Sequence, residues 1–282
     1  MKSPASRLLF RMLLIADERQ RREEAARDNR RQIPLVLLVI ATQIAGVFTY
    51  KIYEDINLAF AAVNFAVAIH SWFAQRWKLC HLALFVAFMF LFVSFHAART
   101  WPLHLLLPIS AYLLVVLAEK NLRLSIGWRQ KGELNKPIVQ GIVGIVAVSA
   151  AGLLLWFFLF DPQVGDLKRM IPAWSPAMLI LTALGFALIN ALMEELLWRG
   201  VMQDTLMAIF GAAGAAVFIQ AVSFGAQHWN GFPRGAAGMV LAGIYGYMLG
   251  VLRHYSRGLL APVIAHIFAD LVIFAIMTIF VV

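Results

Sequence analysis

Apolar runs about as long as a helix needs to cross a bilayer recur along nearly the whole of this 282-residue chain. A hydrocarbon core about 30 Å thick takes roughly 20 helical residues to span. Inside such a layer every backbone N–H and C=O has to find its partner within the protein, so runs of this kind become helices. Candidate spans lie near Leu35–Tyr50, Ile56–Ala74, Leu79–Ala98, Leu103–Ala118, Ile138–Phe160, Ala177–Trp198, Ala213–Gln227, Ala236–Leu252 and Leu259–Val281. Composition agrees, with 62% of residues hydrophobic and 14% charged, far from the balance of a soluble domain. The expectation is an all-α fold, a polytopic transmembrane helical bundle with about 8 to 9 spans. The second candidate contains Asn64 and His70 and reads equally as an interfacial or re-entrant segment.

The net charge of +9 raises nucleic acid as a partner, but the placement of the charge argues for topology instead. With the amino terminus inside, nineteen of the 24 Lys and Arg fall on inner segments, chiefly Lys2 to Arg31 and Lys120 to Lys136. Five fall on outer ones: Lys51, Arg99, Lys168, Arg169 and Arg234. Positive residues collect on the cytosolic side of membrane proteins, so a cytosolic amino terminus and an odd number of spans are expected. Eight spans would instead put both termini inside. No nucleic-acid partner is expected; the bilayer itself is one.

Residues 1–33 read as a cytosolic basic segment rather than a cleaved signal, because no cleavage pattern follows the brief apolar patch. Leu8, Leu9, Met12, Leu13 and Leu14 share one side of a helix beside Arg7 and Arg11. Such a helix lies on anionic lipid or binds a partner. The single Cys80 allows no intramolecular disulfide. Residues 34–172 supply transmembrane helices of no readable role.

The last third places charge where charge is expensive. An ionisable group at bilayer depth faces protein or water, and is a functional candidate by default. In "NALMEELLWRG" Glu195 and Arg199 stand four apart and meet on one helical face, while Glu194 points about 100° away, toward Asn190 and Trp198. Alternatively, both carboxylates share Arg199 as a packing ion pair. In "SFGAQHWNGF" Phe224 and His228 share a face. A turn near Gly211 stands 17 residues from both Glu194 and His228, so antiparallel helices about it would bring the two to one depth. In "PVIAHIFADLV" His266 and Asp270 are also four apart, close enough for an intrahelical hydrogen bond. Gly238, Ala242, Gly246 and Gly250 form a ridge of small residues that lets helices approach closely in lipid.

These residues carry a resemblance. Glu194, Glu195 and Arg199 match EExxxR, Phe224 and His228 match FxxxH, and His266 and Asp270 match Hxxx(N/D). Their order and spacing resemble the CAAX-protease and bacteriocin-processing family of intramembrane proteases, in particular the type II CAAX prenyl endopeptidases. The resemblance covers roughly Pro176 to Phe280, within a core spanning residues 173–282. It implies a helical-bundle peptidase whose cavity lies inside the membrane and opens toward the cytosol and the lipid. By motif, Glu194 would be the general base that activates water, with His228 positioning that water. His266 and Asp270 would stabilise the oxyanion, Asp270 either protonated or by orienting His266. Glu195, Arg199 and Phe224 would support them. The substrate implied is a membrane-associated peptide or protein, and the location a cell membrane crossed many times, bacterial and cytoplasmic in the simplest reading.

A glutamate-activated water needs no cofactor, and none is expected. Two histidines with a glutamate are nevertheless a donor set able to hold zinc with an open position, which keeps a zinc-dependent version of the same protease in view. Two non-proteolytic readings also stand: a proton-coupled transporter, since buried Glu, His and Asp make proton relays, and an immunity or scaffold protein whose polar cluster only joins helices.

Overall fold

The structure, a computed structural model, describes residues 28–49, 52, 54–160, 164 and 174–281. The amphipathic patch expected at Leu8 to Leu14 lies outside them. The described residues form helices and short connections, with no strand among them. In chain order these are α1 (Asp28–Thr49), α2 (Glu54–Phe73), α3 (Trp77–Val93), α4 (Leu103–Ala118), the short α5 (Lys120–Ser125) and α6 (Lys136–Phe160). There follow α7 (Pro176–Glu195), α8 (Gln203–Phe210), α9 (Ala213–Gln227), α10 (Gly235–Ser256) and α11 (Leu260–Ile276). Each of the nine apolar runs holds a helix, with the run from Leu79 ending its helix at Val93, short of Ala98.

Among the described residues, six helices are long and apolar enough to cross a membrane: α1, α2, α6, the continuous Pro176–Phe210, α10, and Leu260–Phe280. Trp77–Val93, Leu103–Ala118 and Ala213–Gln227 are apolar but shorter. These three make the difference between six and the larger number expected from the sequence. The long α6 and the first turns of α7 turn Leu155, Phe158, Ile180 and Leu181 outward, as side chains facing hydrocarbon do.

Local sequence sets the boundaries around the site. Pro176 opens α7 with its φ already helical, and the Ser175 hydroxyl accepts from the Met178 N–H at 3.5 Å. Past Glu195 the helix widens into a π-helical stretch, Leu196–Met202, a distortion that recurs at functional sites. Gly211 takes a left-handed φ of 64° and ends α8, a conformation that glycine adopts without penalty. The turn expected there is present, and α9 returns along α8.

The small-residue ridge of α10 packs on α9. A Cβ on Gly225 would lie 2.6 Å from the Met239 carbonyl oxygen and 2.9 Å from Gly243 Cα, and one on Gly246 would lie 2.8 Å from the Phe224 ring. The two backbones touch because no side chain separates them.

The bundle has two distinct ends. At one, the segment 126–135 is laced to the α10–α11 turn: Glu133 N–H donates to Ser256 O (2.8 Å), Leu259 N–H to Gln130 O (3.0 Å) and Leu260 N–H to Lys131 O (3.1 Å). Arg76 pairs there with Asp28 (2.8 Å), while Asp204 takes both Lys78 and Arg253. At the other end lie the connections 94–102 and 228–234. Asn230 donates to Val47 O (3.3 Å), and the rings of Phe48 and Trp229 meet at 5.6 Å.

Candidate active site

Two carboxylates, an amide and an imidazole converge where α7 and α11 cross. The Asn190 amide nitrogen lies 3.2 Å from Glu194 Oε1 and 3.2 Å from Asp270 Oδ2, so one side chain donates to both carboxylates. Its own carbonyl accepts from the Trp101 indole N–H at 3.1 Å. His266 Nε2 stands between the same two acids, 3.6 Å from Glu194 and 3.8 Å from Asp270. Its Nδ1 lies 2.7 Å from Glu195 Oε1, the oxygen that also takes Arg199 Nη1 at 2.7 Å.

This pattern fixes the tautomer. A carboxylate already bound to a guanidinium is an acceptor, so His266 Nδ1 carries a proton and donates it; Nε2 is then the nitrogen presented to Glu194 and Asp270. The 100° between Glu194 and Glu195 on the helix is bridged by one imidazole, one acid on each ring nitrogen. The His266–Asp270 hydrogen bond that their spacing allows does not form, since 3.8 Å is too long. His266 has Glu195 as its nearer partner, and Asp270 has Asn190.

Arg199 is completely buried. It donates to Glu195 and, through Nη2, to Gly246 O at 3.1 Å, and its guanidinium lies 4.7 Å from the centre of the Phe224 ring. The carbonyl of Gly246 also accepts from Gln220 at 2.8 Å, which ties α7, α9 and α10 at one point. Arg199 does not gather both glutamates: Glu195 has it, and Glu194 turns to Asn190.

His228 follows the last turn of α9. Its Nδ1 lies 3.1 Å from Phe224 O, and a carbonyl can only accept, so Nδ1 carries the proton and Nε2 is left for other partners. The ring packs at 4.8 Å on Phe224, whose ring is 6.2 Å from His266. Glu194, His228, His266 and Asp270 all line one cavity of about 940 Å³ with largely apolar walls. Three of the four sequence candidates therefore meet directly, and His228 joins them across the cavity by way of Phe224.

Asn190, Trp101 and Tyr245 were not singled out by the sequence as site residues. Asn190 had one signal, its place four residues before Glu194. Trp101 and Tyr245, whose ring stands 5.5 Å from His266, had none. Among the described residues no three His, Cys, Asp or Glu side chains are gathered as a metal ion would require.

Helices of membrane-crossing length gathered around a largely apolar cavity that holds a polar cluster define a multi-pass membrane protein with an internal site. Residues 176–272 match the family model of the type II CAAX prenyl endopeptidases, Rce1-like. The match runs from α7 into α11 and takes in all three motifs, so the resemblance read from them holds, and it indicates a peptide hydrolase of the intramembrane CAAX type. No significant match was found among curated proteins or among solved structures.

Proposed function

We propose that this protein is an intramembrane endopeptidase in which Glu194 activates water without a metal. The observation that carries the reading is the Asn190 bridge, which holds Glu194 and Asp270 on either side of His266 Nε2. Glu194 takes a proton from water as the water oxygen bonds to the scissile carbonyl carbon. His266, carrying a second proton at Nε2 in this step, faces with Asp270 the oxygen that becomes negative. When the C–N bond breaks, the proton held by Glu194 passes to the departing amine, and His228 Nε2 orients the water.

The substrate is a membrane-associated peptide or protein, and the largely apolar walls suit a segment drawn from lipid. The three shorter helices cross as well, giving nine spans among the described residues, with the amino terminus in the cytosol. Residues 173–282 carry the chemistry, and α1, α3, α4 and α6 line other parts of the same cavity.

The test compares the membrane proteome of cells making the wild-type protein or Glu194→Gln, with new peptide termini counted by mass spectrometry. Termini that vanish in the variant, while its level and melting temperature in detergent hold, support the reading. Identical sets of termini would refute it and favour a structural or transport role.

A further inference from the structure

The cavity belongs to one end of the bundle only. Helices α1, α3 and α11 start at the basic end, and each contributes only its later part to the walls: α1 from Gln43, α3 from Phe85, α11 from His266. Helix α4 runs the opposite way and contributes its first turn, His104 and Leu105. The rim is formed by the connections 94–102 and 228–234, including Thr100 and Asn230.

Toward the basic end the path is closed. Leu197 through Gln203 are all buried. Gln203 donates to Gly250 O at 2.9 Å, and Trp128 is packed against Gly200. Beyond this floor lies the lacing of 126–135 onto the α10–α11 turn.

Charge assigns the two ends to the two sides of a membrane. Arg30, Arg31, Arg76, Lys78, Lys120, Arg123, Arg129, Lys131, Lys136, Arg253 and Arg257 all belong to helix ends or connections at the closed end. Among the described residues, the rim end has Arg99 and Arg234. Positive connections stay in the cytosol, where translocation is disfavoured and the leaflet is anionic.

We infer that the cavity opens on the extracytoplasmic side of the membrane, and that its substrate is a peptide segment in, or emerging from, the outer leaflet. This is opposite to the cytosolic opening that the family resemblance implies. The substrate half of the inference rests on the proteolytic reading above; the orientation half does not.

Orientation is tested by single cysteines in the intact protein. Cys80 is fully buried and can remain. A membrane-impermeant maleimide should label Thr100→Cys and Asp55→Cys in intact cells, and Arg129→Cys and Lys131→Cys only after the membrane is opened. Two positions at each end guard against one variant failing to fold. Protection of both rim-end cysteines in intact cells, or labelling of both basic-end ones, overturns the inference. For the substrate, peptide termini that depend on Glu194 should map to the outer halves of membrane proteins or to exported segments. Termini confined to cytosolic segments overturn that half even where the maleimide pattern holds. A Glu194→Gln variant with unchanged termini removes the proteolytic reading and leaves the orientation standing.

Discussion

His266 and Arg199 both lean on a single oxygen, Glu195 Oε1, each at 2.7 Å. One carboxylate thus neutralises a buried guanidinium and sets the tautomer of an imidazole whose other nitrogen faces Glu194. The motif pair EE divides its work between adjacent residues: Glu195 holds the frame, and Glu194 is presented to the cavity.

Removing Arg199 should therefore cost stability before it costs chemistry. Arg199→Met leaves Glu195 charged at a site with no solvent contact, a situation that destabilises by about 3 to 5 kcal/mol. The expected result is a large drop in melting temperature in detergent. Arg199→Lys should recover little of it, because an ammonium cannot reproduce the fork that reaches both Glu195 and Gly246 O. Full stability in Arg199→Met would show that the ion pair is dispensable.

Asn190 should behave in the opposite way. Asn190→Leu removes the donor shared by Glu194 and Asp270 while filling similar volume, and misplacement of about 1 Å can lower a rate by roughly 100-fold. A fall in kcat of that order with KM little changed is expected, measured on any peptide cleaved by the wild-type protein. A change confined to KM would place Asn190 in substrate binding.

The polar motifs were legible because charge in an apolar run has few explanations and four-residue spacing marks a shared helical face. That spacing correctly paired Glu195 with Arg199 and failed for His266 with Asp270. In the second case each residue has a better partner on α7, and sequence spacing carries no information about neighbours on another helix. Trp101 illustrates the same limit, since it reaches Asn190 across 89 positions of sequence. The helices were legible from hydropathy alone, but span length was not. Helices α3, α4 and α9 have 17, 16 and 15 residues; the run from Leu79 continues past Val93 into a turn that looks the same in sequence, whereas α4 and α9 end where their apolar runs do.

Within the α9–α10 contact, substitutions should separate by position. A Cβ on Gly246 meets the Phe224 ring at 2.8 Å, whereas one on Gly243 comes no nearer than 3.7 Å to any neighbour. Gly246→Val should destabilise by about 1 to 3 kcal/mol, as overpacking does, and Gly243→Ala should be tolerated. Thermal melting of the two variants in one detergent checks the order.

Metal dependence gives a direct readout on the purified protein. Extended treatment with a strong zinc chelator should leave proteolysis unchanged, because Glu194 and His266 are already committed to protein partners. Loss of activity that added zinc restores would replace the metal-free reading with a metalloprotease.

The contact of Gly225 with Gly243 has a mechanical consequence. Backbones that meet without intervening side chains have no rotamers to yield, so α9 and α10 move as one stiff body and His228 travels with it. Compliance resides in the walls instead, in α6 and the first turns of α7, where most side chains face outward. Admission of a polypeptide to the buried polar cluster is therefore expected to shift α6 and the first turns of α7 against α11, and tethering either to α11 should block entry while leaving every polar contact at His266 in place.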